Sequence, residues 1–176
     1  MNNTKQFKNQ KKLSIKKQIF TALLACIGYV LNTFVYFPRM APFQHFINVI
    51  AAVFLGPLWG FVCALLTGLM RMILNGNTIL AVIGAVVRAF LSGLLYQKFH
   101  KLKWAVIGEV IGTGIISAIL AYPFMRAFYG LPKTSIFTYV PFFAPASFVG
   151  AMLGCALLKT LQKTKTLEYL KSLLNN

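Results

Sequence analysis

The chain has 176 residues, 58% of them hydrophobic, and sets only two acidic side chains, Glu109 and Glu168, against 18 lysines and arginines. A soluble domain covers itself with charge of both signs, so this composition excludes one. Apolar runs recur from Gln18 to Leu158 and place the chain in a bilayer. The formal charge of +16 does not make a nucleic-acid face, because the lysines flank apolar runs at the two ends and at 98–103.

A hydrocarbon core about 30 Å thick takes about 20 helical residues. Residues 1–17 carry six lysines and read as a basic cytoplasmic segment. The run that follows, 18–36, is too long for a signal-peptide core and precedes no small-residue cleavage site, so it reads as a retained first helix. It carries two short rows of small residues, Thr21 with Ala25 and Ala22 with Cys26, which fit packing inside the chain or contact with a partner subunit. Arg39 falls in the next loop, between Pro38 and Pro42. The stretch 43–74 is too long for one crossing and lean for two. Pro57 suits the first turn of a new helix and Gly56 allows a tight reversal, so the chain is expected to turn back there. Further helices are expected at 78–96, 104–124 and 138–158, followed by a basic amphipathic tail, 159–176. Its Leu161, Leu167, Leu170 and Leu174 fit a helix lying on anionic lipid or docking on a partner.

Positive charge favours the cytoplasmic side of a span. With the turn at Gly56-Pro57 there are six transmembrane helices with both termini cytoplasmic. Thirteen cations then lie inside: six in 1–17, Lys98, Lys101, Lys103 and four from Lys159 onward. Outside remain Arg39, Arg71, Arg126 and Lys133. Without the turn, the 98–103 lysines and the whole tail move outside. The expectation is therefore an all-α integral membrane protein of the plasma membrane, its membrane domain spanning 18–158.

Small residues at every fourth position on three later helices (56–68, 81–93 and 146–154) allow close backbone approach. Cys26, Cys63 and Cys155 stand singly in apolar segments and read as packing residues, not as a disulfide or metal site. Polar groups gather toward the outer side: Gln44, His45 and Asn48 on the second helix, Arg71 on the third, Asn75, Asn77 and Thr78 after it, and Tyr122 and Arg126 on the fifth. His45 and Asn48, three apart, share a helix face. Arg88 and Glu109 count as deeper, in the inner half, where they fit a buried ion pair; a substrate or proton role for Glu109 is the alternative. There is no HExxH, no GxSxG and no aspartate, and His45 and His100 fall on opposite sides, so neither a catalytic set nor a metal site is expected. No GxxxxGK[ST] is present, so any use of ATP belongs to partner subunits.

"QHFINVIAAVFLGP" (44–57), "TGLMRMILNGNTILA" (67–81), "SGLLY" (92–96) and "GEVIGTGIISAILAYP" (108–123) resemble the ThiW-type S components of energy-coupling-factor (ECF) transporters. The resemblance implies a six-helix subunit that binds hydroxyethylthiazole, a thiamine precursor, in an outer-side pocket. It also implies docking on a transmembrane coupling subunit driven by two ATPase subunits, and no cofactor on this chain. By the same resemblance His45, Asn48, Arg71, Asn75 and Thr78 line or brace the pocket, with Gln44, Arg39 and Tyr122 as further candidates. The chain departs from the family pattern at "VIGAVVRA" (82–89), where Val82-Ile83-Gly84 replaces a Phe-Pro-Gly stretch and Arg88 is added. That departure leaves room for a related anionic or otherwise modified ligand, and another vitamin or precursor, including thiamine itself, is the alternative. A small stand-alone secondary transporter or a membrane enzyme are the other readings.

Overall fold

A computed structural model describes residues 2–35, 41–130 and 132–175. They are helical throughout, with no strand among the described residues. The elements are α1 (Asn2–Phe34), α2 (Pro42–Asn75), α3 (Leu80–Phe99), α4 (Leu102–Ile111), α5 (Ala118–Tyr129), α6 (Val140–Lys163) and α7 (Thr166–Asn175). A π-helical turn, Gly112–Ser117, joins α4 to α5 without a break. Five of these stretches are long and apolar enough to cross a membrane: Ile15–Phe34, Pro42–Asn75, Leu80–Phe99, Leu102–Tyr129 and Val140–Lys163.

The longest stretch is not a single rod. Gly56 adopts φ 76° and ψ −170°, outside the helical region and in the range that favours glycine. A Cβ at Gly60 would lie 3.9 Å from the Ala51 carbonyl carbon, although nine residues of straight helix separate two atoms by about 13 Å. A Cβ at Gly28 would meet Thr67 at 3.3 Å and Ile47 at 3.4 Å, which brings both ends of α2 to one level of α1. The chain therefore folds back at Gly56, and 42–55 packs beside 57–75.

The small residues do what lipid requires of them. Between helices there is no hydrophobic drive in a bilayer, so attraction depends on close dispersion contact. A Cβ at Gly93 would fall 2.5 Å from the Pro57 Cα, and one at Gly68 would fall 2.7 Å from the Ala81 oxygen. At Gly150 it would reach 1.9 Å from the Pro42 oxygen and 2.8 Å from the His45 Cβ. Gly108 and Gly112, which the sequence rows did not include, meet Ser92 and Arg88 in the same way, at 2.7 and 2.9 Å. Large apolar side chains such as Leu23, Ile73, Ile115 and Phe148 point outward, as a lipid-facing surface demands.

Both ends of the described chain meet at one end of the bundle. Lys16 donates to the Leu173 carbonyl at 2.9 Å, and Lys171 donates to the Tyr96 hydroxyl. The turn at Gly56, the 98–103 lysines and α7 lie at this tail end, while the 76–79 and 132–139 connections lie at the other. The leucines of the tail are used inside the chain: Leu167 and Leu174 are buried in the core, with Leu161 and Leu170 packed against it. That face is therefore taken up by the bundle itself and not left for lipid or a partner. The first-helix rows also divide. Thr21 and Ala25 are buried, with Thr67 donating to the Ala25 carbonyl at 3.4 Å, while Ala22 and Cys26 stay on the free face.

Two glycines, Gly150 on α6 and Gly84 on α3, should respond differently to the same methyl group. Gly150→Ala forces α6 away from the start of α2 and should lower the melting temperature of the detergent-solubilised protein by about 3 °C or more. Gly84→Ala meets nothing nearer than the Arg88 guanidinium at 3.6 Å and should leave melting unchanged.

Candidate functional site

The short first half of α2 creates the site. Residues 42–55 rise about 21 Å, well short of the roughly 30 Å of a hydrocarbon core. One end is fixed by the Gly56 turn, so the other begins below the level reached by its neighbours. Pro42 sits in the first turn, where its missing N–H is not needed. Above this sunken helix start lies a cavity of about 540 Å³, within the range of small-molecule sites.

Its walls come from five elements. His45 stands at the start of α2, Arg71 and Asn75 at the end of the same element, and Asn77 and Thr78 in the connection to α3. Arg88 enters from α3, and Asn32 and Thr33 close the α1 side. Phe142, Phe143 and Ala146 of α6 form the apolar wall. Several of the polar groups are already braced. Tyr29 donates to the Asn75 oxygen and Asn75 donates to Thr33, both at 2.9 Å, and Asn77 donates to the Arg71 carbonyl at 3.2 Å.

Beneath His45 lies a fully buried polar cluster centred on Glu109. The carboxylate Oε1 accepts from His45 Nδ1 at 2.9 Å, from Asn48 Nδ2 at 3.0 Å and from Thr113 Oγ1 at 3.4 Å. Arg88 Nε approaches the same oxygen at 3.7 Å without a hydrogen bond. Because a carboxylate oxygen only accepts, His45 carries its proton on Nδ1 and keeps Nε2 on the opposite ring edge for another partner. The π-helical turn begins three residues after Glu109, and its wider winding carries Thr113 into the cluster and Ser117 to the Gly84 carbonyl at 3.1 Å.

The sequence separates His45 and Asn48, at the outer end, from Arg88 and Glu109 in the inner half. The structure corrects this: all four meet, because the short α2 half starts deep. The Arg88–Glu109 pair exists, but the carboxylate's nearest partners are His45 and Asn48. Of the eight candidate pocket residues, His45, Arg71, Asn75 and Thr78 line the cavity. Gln44 and Asn48 are buried behind it, Gln44 donating weakly to Asn48 at 3.5 Å. Tyr122 is partly buried on α5 and is not part of the wall, and Arg39 lies outside the described residues. Sequence reading missed Asn32, Thr33, Phe142 and Phe143 as wall residues and placed Arg88 in a buried ion pair, linking it to the ligand only as a departure from the family pattern. The aromatic pair at the start of α6, "VPFFAP", was the available signal. His100 borders a separate cavity at the tail end, with Lys101 and Lys159, far from His45.

A helical bundle with several membrane-spanning stretches and one polar, aromatic-walled chamber at one end is a multi-pass membrane protein that handles a small molecule. The sequence matches the family profile described as "Thiamine-precursor transporter protein (ThiW)" over residues 18–164, and the chain belongs to that family. The family is one of transporters, not of enzymes, and its substrate is a small molecule. A search among curated proteins returned no match.

Removing the carboxylate tests the cluster. Glu109→Ala leaves the buried Arg88 without its acidic neighbour and should cost about 3–5 kcal/mol of stability, read as a lower melting temperature. Glu109→Gln, which still offers an oxygen to Asn48 and His45, should lose less.

Proposed function

We propose that this thiamine-precursor transporter is the substrate-capture (S) subunit of an ECF-type importer in the plasma membrane, and that its ligand is hydroxyethylthiazole. The observation that carries the reading is the chamber above the sunken start of α2. It joins polar groups of opposite hydrogen-bonding character to an aromatic wall, and it is closed beneath by the Glu109 cluster. The thiazole ring would lie against Phe142 and Phe143, with His45 Nε2 accepting from the hydroxyl and a side-chain amide of Asn75 or Asn77 donating to the ring nitrogen. Gln44 and Asn48 would act behind the wall, by fixing Glu109 and through it His45.

In this reading α2 contributes two crossings, making six, and the termini face the cytoplasm. The concentration of lysine at the tail end supports that orientation, and so does the meeting of Lys16 with Leu173, which an even number of crossings requires. The chamber then opens outward and captures its ligand there. Release on the inner side needs energy, and the sequence has no phosphate-binding loop. A transmembrane coupling subunit and two ATPase subunits would supply it from ATP, with the free Ala22–Cys26 face of α1 as one available contact.

Two measurements test these points. In a cysteine-free background, a cysteine at position 77 should react with an impermeant maleimide added outside intact cells, and one at position 100 only after permeabilisation; the reverse pattern would overturn the orientation. Calorimetry on the purified subunit should show saturable binding of hydroxyethylthiazole in preference to thiamine. Uptake into vesicles should then require the coupling and ATPase subunits. Uptake by this chain alone would make it a stand-alone carrier instead.

A further inference from the structure

We infer that the chamber is built for a substrate whose arm carries a negative charge, a phosphate ester or a carboxylate attached to the heteroaromatic ring, with Arg71 and Arg88 as its counter-charges. The inference rests on the thiamine-precursor reading of this same pocket and replaces the neutral hydroxyethyl arm of the proposed ligand with a charged one. Charge counting leads to it. The whole sequence has two carboxylates. Glu168 lies on α7 at the tail end, so Glu109 alone serves the chamber, whereas two guanidinium groups line it. One positive charge per chamber therefore has no acidic side chain to answer it.

The state of the two arginines points the same way. Arg88 is 6% exposed, and its Nε has no hydrogen-bond partner. Its carboxylate neighbour stands at 3.7 Å, too far for a hydrogen bond, with Oε1 engaged by His45, Asn48 and Thr113 and Oε2 without a partner. Arg71 forms no ion pair among the described residues, and the groups around it, Asn75, Asn77 and Thr78, are neutral donors and acceptors. An uncompensated cation in a region of low dielectric is costly, and such groups in membrane proteins mark ligand sites. A guanidinium offers a planar fork of N–H donors that matches two oxygens of a phosphate or carboxylate. A neutral alcohol would leave that fork and its charge unanswered, and the one carboxylate nearby, Glu109, lies behind the wall and is outnumbered by the two guanidiniums.

Calorimetry on the purified full chain, with three probes, decides the matter: hydroxyethylthiazole, its phosphate monoester, and the same ring bearing an acetate arm. At least one anionic probe should bind about tenfold or more tighter than the neutral alcohol, and which of the two wins identifies the anion. In Arg71→Gln and in Arg88→Gln the ratio of anionic to neutral affinity should fall toward one. Arg88→Gln removes a buried group beside Glu109, so Arg71→Gln, at the more exposed rim, carries the test if the other variant does not fold. Equal or tighter binding of the neutral alcohol overturns the inference and leaves the thiamine-precursor reading standing. A preference for the anion that survives in Arg71→Gln overturns the role given to the guanidiniums. Binding of none of the three overturns both.

Discussion

Everything around the chamber depends on one carboxylate with no exposure to solvent. An ionised group at that depth has to be answered by other parts of the protein, since lipid offers nothing. Glu109 is answered from three directions: His45 and Asn48 from α2, Arg88 from α3, and Thr113 from the π-helical turn one step along its own helix. These contacts tie the first turn of α2 to the centre of the bundle. They also fix the His45 proton on Nδ1, so the ring edge that lines the cavity has one defined hydrogen-bonding character. Structure and recognition are therefore coupled through a single oxygen atom.

The backbone makes that arrangement available. A helix of the length of 42–55 falls short of the full hydrocarbon thickness, and a longer one would fill the space where the cavity lies. The reversal at Gly56 fixes one end of the short helix, and glycines bring its neighbours close enough to hold it. Gly150 admits the Pro42 carbonyl, and Gly93 admits the turn itself. Side chains at either position would push helices apart and lift α2 away from Glu109. The small-residue rows are thus part of the site as well as of the packing, because the depth of His45 depends on them.

The distribution of cations separates two tasks. At the tail end, lysines surround a stacked Phe99–Trp104 pair with ring centroids 4.2 Å apart, a combination suited to the boundary between lipid and water. At the chamber end, two arginines stand with one carboxylate, Glu109, nearby. In the proposed orientation the lysines face the cytoplasm, whereas the arginines line the cavity. Belonging to a family of thiamine-precursor transporters accords with a chamber that joins an aromatic wall to a few fixed polar groups.

Much of the fold was legible in the residues. Apolar runs of crossing length, the Gly-Pro reversal, the small-residue rows and the gathering of His45, Arg71, Asn75 and Thr78 at one end all follow from local pattern. That is so because a bilayer imposes simple rules on length, charge and helix contact. Depth did not follow. Counting residues from helix ends assumes that helices start level and stand upright, and on that assumption His45 and Glu109 are far apart. Only packing showed that α2 starts deep, that the chamber's far wall is Phe142 and Phe143 from a helix about a hundred positions away in the chain, and that the tail leucines turn back onto the bundle. The sequence by itself determined which segments enter the membrane and where the chain reverses, since those depend on composition within a short window. The tertiary structure decided which side chains share one carboxylate, since that depends on how far each helix slides along its neighbours before backbone meets backbone.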